Sequence, residues 1–266
     1  MQLSSKKNTL LDLSILVHKD GFSFCTQEQH HFFGFETSPP TEESLRSFVN
    51  YHQLQPTNIR LVYMDAPSVS VPLPLFDEQQ LDNYLKTALA KEDKTVAQKN
   101  ELQALDQVVV YPANETWNSL FKAVFPSVKA FHLSAFLLPA LSKYSFGKAR
   151  KNMFIHLRKE QFDLFLFQGG QLLVQNSFPQ KNADEFMYYL FYVCEQFYLK
   201  PEQFDLFFLG QYFPFSDYYN GTKEFHPNCS HLDPIFPAVD PNHPAPFLQS
   251  FCPEWESFPE LLKDVV

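Results

Sequence analysis

The strongest constraint on this chain is that it can be laid against itself. Leu13–Phe24, LSILVHKDGFSF, aligns with Met153–Leu164, MFIHLRKEQFDL, at an offset of 140 residues. Lys19 then meets Lys159, Asp20 meets Glu160 and Phe22 meets Phe162. Leu54–Met64, LQPTNIRLVYM, aligns with Leu199–Leu209, LKPEQFDLFFL, at an offset of 145, matching Leu54 to Leu199, Pro56 to Pro201 and Leu61 to Leu206. Identities are few, but order, spacing and element type agree. A self-similar chain stacks or pairs its copies, so the repeat decides the architecture before any single motif does.

Each copy reads as three strands, a helix and a strand. In the second copy, 152–158 and 161–168 are apolar, aromatic-rich runs of strand length. Gly169-Gly170 predicts a two-residue hairpin turn, because a type I′ turn needs positive φ twice. The third strand runs over 171–178 and Pro179 ends it. Asn182 is a natural N-cap with Glu185 three residues later, and Phe186, Tyr189, Leu190, Val193 and Phe197 follow at helical spacing, predicting a helix over 183–198. The near-continuous apolar run 203–209 predicts a strand buried on both faces, closed by Gly210. In the first copy the strands fall near 12–18, 22–25 and 31–36, the helix over 42–52 after Thr41, and the last strand over 58–64.

The first half continues beyond the repeat. Val69–Phe76 predicts an edge strand, since Pro72 and Pro74 cannot donate to a ladder. Asp77 predicts a helix cap, with the helix running to about Ala90, followed by a polar loop or helix extension over 91–100 and a strand over 108–111. Helices are predicted over 115–125 and 130–144, the second bent at Pro139. The stretch 145–151, holding Gly147, is the expected boundary, giving halves at 1–150 and 151–266. From about 211 onward the chain holds nine of its 20 prolines, which predicts irregular structure draped over the second half.

Composition narrows the function classes. The 266 residues include 30 Phe and only 7 Gly, against a usual glycine share of about 7%. Phosphate-cradling loops, dinucleotide fingerprints and nucleophile elbows rely on glycine, and none of their motifs occurs here. A net charge of −9 with no basic stripe opposes nucleic-acid binding. Cys25, Cys194, Cys229 and Cys252 show no CxxC spacing, so they read as reduced thiols, with a Cys229–Cys252 bridge left open. The apolar stretch at 10–17 contains Asp12 and lacks a small-residue cleavage site, so it reads as a strand rather than a signal peptide. No segment reaches the length needed to span a membrane. Sequons at Asn114, Asn220 and Asn228 carry little weight without an export signal. The expected compartment is the cytoplasm.

Two copies of β-β-β-α-β with further αβ elements is the chain order of the ribonuclease-H-like half of actin, Hsp70 and sugar kinases. The segments LSILVHKDGFSFC, FPSVKAFHLSAFL (Phe125–Leu137), FIHLRKEQFDLFLFQGGQLLVQNSF, DEFMYYLFYVCEQFYL and FDLFFLGQ resemble a bacterial family of uncharacterised proteins grouped with the actin-like ATPases. The resemblance covers roughly residues 10–212. It implies an α/β protein of tandem ribonuclease-H-like halves, each built on a mixed sheet, with a nucleotide and metal cleft between them. It also implies three sites. The first phosphate loop maps to His18-Lys19-Asp20-Gly21-Phe22-Ser23, where Asp20 and Gly21 fit but Phe22 replaces a small hydroxyl residue. The second maps to 158–162, around Lys159 and Glu160, with no glycine. The adenosine loop, which carries a glycine pair in the family, maps to Leu209-Gly210-Gln211. Two of the three sites are missing or degraded and no catalytic carboxylates stand out, so no cofactor is expected.

Other clusters read as follows. Lys19-Asp20 and Lys159-Glu160, related by pseudo-symmetry, are either charged turn residues or contacts for a charged small molecule. His226, Cys229, His231 and Asp233 have zinc-ligand chemistry but sit in a Pro-rich region, and read as a polar loop. His132 and His156 read as locally hydrogen-bonded, and no Ser–His–Asp set has triad spacing. The helix over 183–198 carries Phe186, Tyr188, Tyr189, Phe191, Tyr192, Phe197 and Tyr198, more aromatics than one buried face uses. Some should be covered by the tail or by another chain. The sequence therefore favours a non-catalytic actin-like fold acting as an interaction or scaffold module, through a protein partner or a homodimer. The rivals are a nucleotide- or anion-binding protein or ATPase and, more weakly, a metal-dependent enzyme.

Overall fold

The computed structural model describes residues 12–26, 30–35, 39–54, 56, 58–86, 95–158, 161–209 and 216–232. The first copy forms β1 (Asp12–Val17), β2 (Gly21–Cys25), β3 (His30–Gly34), α1 (Glu42–Tyr51) and β4 (Asn58–Tyr63). Thr41 caps α1 as expected: its hydroxyl accepts from the Ser44 N–H at 3.2 Å, while Ser44 Oγ accepts from the Thr41 N–H at 2.9 Å. Such a reciprocal cap contributes about 1 kcal/mol to a ten-residue helix.

Next come β5 (Val69–Pro72), α2 (Leu81–Lys86), β6 (Thr95–Leu102), β7 (Gln107–Asn114), α3 (Glu115–Val124), β8 (Lys129–His132) and α4 (Ser134–Ser145). Here the structure corrects four expectations. The edge strand stops at Pro72, and Leu73–Leu75 turn as a 3₁₀ helix whose Leu73 N–H donates to Asp106 O. Asp77 does cap, through Gln79 N–H, but what it caps is a 3₁₀ turn leading into α2; residues 87–94 lie outside the described residues. Residues 95–100 are strand rather than loop or helix extension, because β6 is an edge of the small sheet β5-β7-β6, where polar side chains are tolerated. Residues 130–132 are strand rather than helix, because β8 pairs in parallel with β4, Arg60 opposite Lys129. Pro139 lies inside α4 as expected.

The second copy forms β9 (Lys151–Leu157), β10 (Gln161–Gln168), β11 (Gln171–Pro179), α5 (Ala183–Gln196) and β12 (Phe204–Leu209). Gly169 and Gly170 take φ of 59° and 91°, as the predicted hairpin turn requires. The Asn182 side chain accepts from the Glu185 N–H at 2.9 Å. Where the sequence predicts irregular tail, the described residues form α6 (Ser216–Phe225) and β13 (Cys229–His231), and β13 extends the sheet by pairing with β12. The tail beyond Leu232 lies outside the described residues.

Both copies build a five-stranded mixed sheet of the same topology, β3-β2-β1-β4-β8 and β11-β10-β9-β12-β13. In each, the first two strands are antiparallel and the later ones join in parallel. The hairpin reproduces the offset of 140 to the residue. Val17 lies opposite Phe22, and Leu157 lies opposite Phe162. The His18 N–H donates to Gly21 O, and the Arg158 N–H donates to Gln161 O, both at 2.9 Å. The parallel ladder corrects the other offset. Leu13 lies opposite Ile59 and Met153 opposite Leu206, so Leu206 corresponds to Ile59, 147 residues away, and not to Leu61. A two-residue slip keeps every side chain on its own face, so the apolar pattern alone cannot detect it.

The first sheet, α1 and α3 form one compact unit; the second and third sheets with α4, α5 and α6 form the other. β5, most of β6 and β7, and α4 go with the second unit. In the first unit Phe22 packs edge-on against Phe35, Trp117 and Phe121, with ring centroids 4.7–5.4 Å apart. In the second, Met153, Ile155, Leu157, Phe162, Phe186, Leu190, Leu206 and Phe208 form a core between the sheet and its helices.

Two glycines give opposite expectations. A Cβ on Gly21 would stand 2.4 Å from Phe32 Cζ and 2.5 Å from Phe33 O, whereas a Cβ on Gly221 in α6 meets nothing within 4 Å. Chemical denaturation should show Gly21→Ala losing about 1–3 kcal/mol and Gly221→Ala gaining about 0.5–1 kcal/mol.

Candidate functional site

The turn between β1 and β2 carries the first predicted site. Lys19 and Asp20 are exposed and Gly21 is buried. The Lys19 N–H donates to Asp65 Oδ2 at 3.1 Å, and the Phe35 N–H donates to Asp20 O at 2.9 Å. His18 Nε2 is 3.0 Å from Ser23 Oγ. Burial lowers the His18 pKa against the opposing pull of Asp65 and Asp20. The glycine here has a packing cause, since Phe32 and Phe33 leave no room for a side chain. Phe22 is wholly buried in the aromatic core, so the next side chain in the loop serves packing. Lys159, Glu160 and Gly210 lie outside the described residues.

Beside the second hairpin turn lies a polar network that sequence reasoning missed. Asp163 on β10 is opposite His156 on β9 and Ser177 on β11, so the three stand in one row across the sheet. The Asp163 carboxylate accepts from Arg158 at 2.5 Å and from Ser177 Oγ at 2.6 Å, and lies 3.2 Å from His156 Nδ1. Gln180 Nε2 donates to Arg158 O at 2.7 Å. All but Ser177 are buried. Burial alone would raise the Asp163 pKa, but Arg158, His156 and Ser177 outweigh it and hold the carboxyl well below its usual range. An Asp–His pair has the makings of a base, but the His156 side chain is fully enclosed, so this cluster locks the hairpin. The signal was in the sequence: one carboxylate inside the apolar run FDLFLF, five residues past an arginine across a tight turn. His156 and His132, whose Nε2 is 2.8 Å from Ala66 O, both hold the local hydrogen bonds expected of them.

The zinc-ligand cluster does not assemble among the described residues. Cys229 sits in the second core opposite Leu206, and burial pushes its thiol up to about 12, far from a ready thiolate. His226 is buried with its ring centroid 4.3 Å from that of Phe204. Asp233 and Cys252 lie outside the described residues, and among those described no three His, Cys, Asp or Glu side chains gather to hold a metal ion. Among the described residues Cys25, Cys194 and Cys229 form no disulfide with one another.

The aromatic excess of α5 is real at the surface. Its inner stripe, Phe186, Leu190 and Val193, is buried. Its outer stripe is not: Tyr188 is 64% exposed, Phe191 45% and Tyr192 46%. Phe225 at the end of α6 is 59% exposed and packs edge-on against Phe191 at 5.5 Å, so the two helices share one aromatic surface. No helix among the described residues is long and apolar enough to cross a membrane.

A family model described as a protein of unknown function (DUF3822) matches residues 1–229. The chain belongs to the DUF3822 family. No functionally curated protein matches it. Among solved structures, it is similar to a Bacteroides thetaiotaomicron protein with actin-like ATPase fold and unknown function, at 21% identity and a TM-score of 0.74 over 87% of this chain and 94% of that one. It is also similar to a chain of the PilM–PilN type IV pilus biogenesis complex, at 13% identity and a TM-score of 0.51 over 96% and 98%. The DUF3822 chain therefore has the actin-like ATPase fold that its sequence pattern implies.

In this DUF3822 chain the network around Asp163 makes a pH-dependent contribution to stability. The folded carboxyl titrates below its ordinary value of 3.8, so the stabilisation is complete above that value and is lost progressively as pH falls from it through the lowered folded value. Asp163→Asn leaves buried Arg158 without its counter-charge and should cost about 3 kcal/mol at pH 7. Denaturation across pH should show the gap to the unsubstituted chain narrowing below about pH 4.

Proposed function

We propose that this chain is a non-catalytic actin-like fold that works as a protein-interaction module, docking a partner on the outer face of α5 and α6. One observation carries the reading, and the repeat supplies its control. α1 and α5 occupy the same place in two sheets of one topology. The exposed side of α1 carries Glu42, Glu43, Arg46, Ser47 and Asn50, with one aromatic, Tyr51, at its last position, whereas that of α5 sets three aromatics, Tyr188, Phe191 and Tyr192, among Asp184, Glu195 and Gln196. The architecture does not require aromatics at that position, so their presence has a cause outside the fold.

The hairpin chemistry supports the non-catalytic half. A nucleotide needs backbone N–H groups aimed at phosphate from a glycine-rich turn. The first turn spends its glycine on packing, and Arg158, at the start of the second, is committed to Asp163. The PilM–PilN neighbour shows that this fold occurs in a chain that assembles with another protein.

Two measurements test the reading. Thermal unfolding with ATP and Mg²⁺ should show no stabilisation, because a ligand far above its Kd must raise Tm; a clear rise abolished by Asp20→Ala sinks the non-catalytic reading in favour of the nucleotide-binding rival. Affinity capture from the source cells should recover a protein that the Phe191→Ser/Tyr192→Ser variant no longer retains while still folding; equal recovery by both chains sinks the docking reading.

A further inference from the structure

We infer that the occupant of the α5/α6 face is a cationic amphipathic segment of another protein, one that sets apolar side chains on the aromatics and Lys or Arg on the surrounding carboxylates. The inference rests on the docking reading above and adds the chemistry of the partner.

The carboxylates are placed by helical spacing. Asp184 precedes Tyr188 by four residues, and Glu195 follows Phe191 by four, so both lie on the aromatic stripe, one at each end. α5 holds three carboxylates and no basic residue. On α6, exposed Glu224 precedes Phe225, and Lys223 is turned toward the Tyr219 ring at 5.6 Å. The surface therefore offers apolar area bordered by the exposed carboxylates Asp184, Glu195 and Glu224, with Lys223 the one exposed cation of α6. Its ring faces also favour cations, since a Lys or Arg over Tyr or Phe is attracted by the ring quadrupole.

The same charge argues against the other occupants. A two-fold dimer through this face would set each Asp184 and Glu195 against the same residues of a second copy, in a chain of net charge −9. The chain's own segment 233–266 carries six acidic residues, Asp233, Asp240, Glu254, Glu256, Glu260 and Asp264, against one basic residue, Lys263. An anionic bilayer meets the same repulsion.

The test uses the full chain and two labelled 18-residue amphipathic probe peptides, one of Leu and Lys, one of Leu and Glu, read by fluorescence anisotropy at physiological ionic strength. The Leu/Lys peptide should bind and the Leu/Glu peptide should not. Phe191→Ser/Tyr192→Ser should weaken binding at least about tenfold. Asp184→Lys/Glu195→Lys should weaken it similarly and admit the Leu/Glu peptide, while Glu43→Lys on α1 should change nothing. Equal binding of both peptides, or Leu/Lys binding that neither α5 variant reduces, overturns the inference. So does a dimer by light scattering that Phe191→Ser/Tyr192→Ser abolishes, which leaves the docking reading standing with a second copy as occupant; binding to phosphatidylglycerol vesicles that the same variant abolishes overturns both the inference and the protein-docking reading. If that variant changes neither peptide binding, vesicle binding, oligomeric state nor capture, the docking reading fails with it.

Discussion

The second unit depends on the burial of β9 from both sides. Every residue from Asn152 to Arg158 is buried, with Met153, Ile155 and Leu157 in one core and Phe154 packed against Tyr144 of α4 and Phe207 of β12 on the other face. A strand enclosed this way needs a hydrogen-bonded partner on each edge and cover over both faces. The hairpin to β10, the crossover through α5 to β12 and the placement of α4 each meet one of those needs. Much of the phenylalanine excess is the filling of these two layers.

The charged row across β9, β10 and β11 belongs to the same constraint. Polar groups that far inside are stable only when paired, and Asp163 is the centre on which Arg158, His156 and Ser177 converge. The network ties together the residues that face one another across the three strands, Asp163 with His156 and Ser177. The first unit secures its equivalent turn by another means, with Gly21 letting the backbone of β3 come close and Phe22 buried behind it. One topology is thus held by a charge cluster in one copy and by close packing in the other.

Much of the fold was legible in the sequence because the repeat is carried by apolar periodicity, turn glycines and caps, which act locally. Thr41, Asn182 and the Gly169-Gly170 turn do what their chemistry predicts. What was misread depends on pairing with distant residues. Lys129–His132 is strand because β4 is beside it, and Thr95–Leu102 is strand because a small sheet accepts a polar edge. The ladder register slipped by two residues because facing repeats every two. At the candidate sites, the sequence located the turns and the aromatic excess of α5. It did not reveal the partners of Asp163, since a lone carboxylate in an apolar run does not state which cation meets it.

α1 spans ten residues and α5 fourteen, a difference of about one turn. Only the inner stripe of α5 seals the sheet, so the outer stripe can be rewritten residue by residue with little effect on folding. On the docking reading, recognition and stability are carried by opposite sides of the same helix. On that reading a lineage bearing this architecture is free to retune what it binds at α5 without renegotiating how it folds.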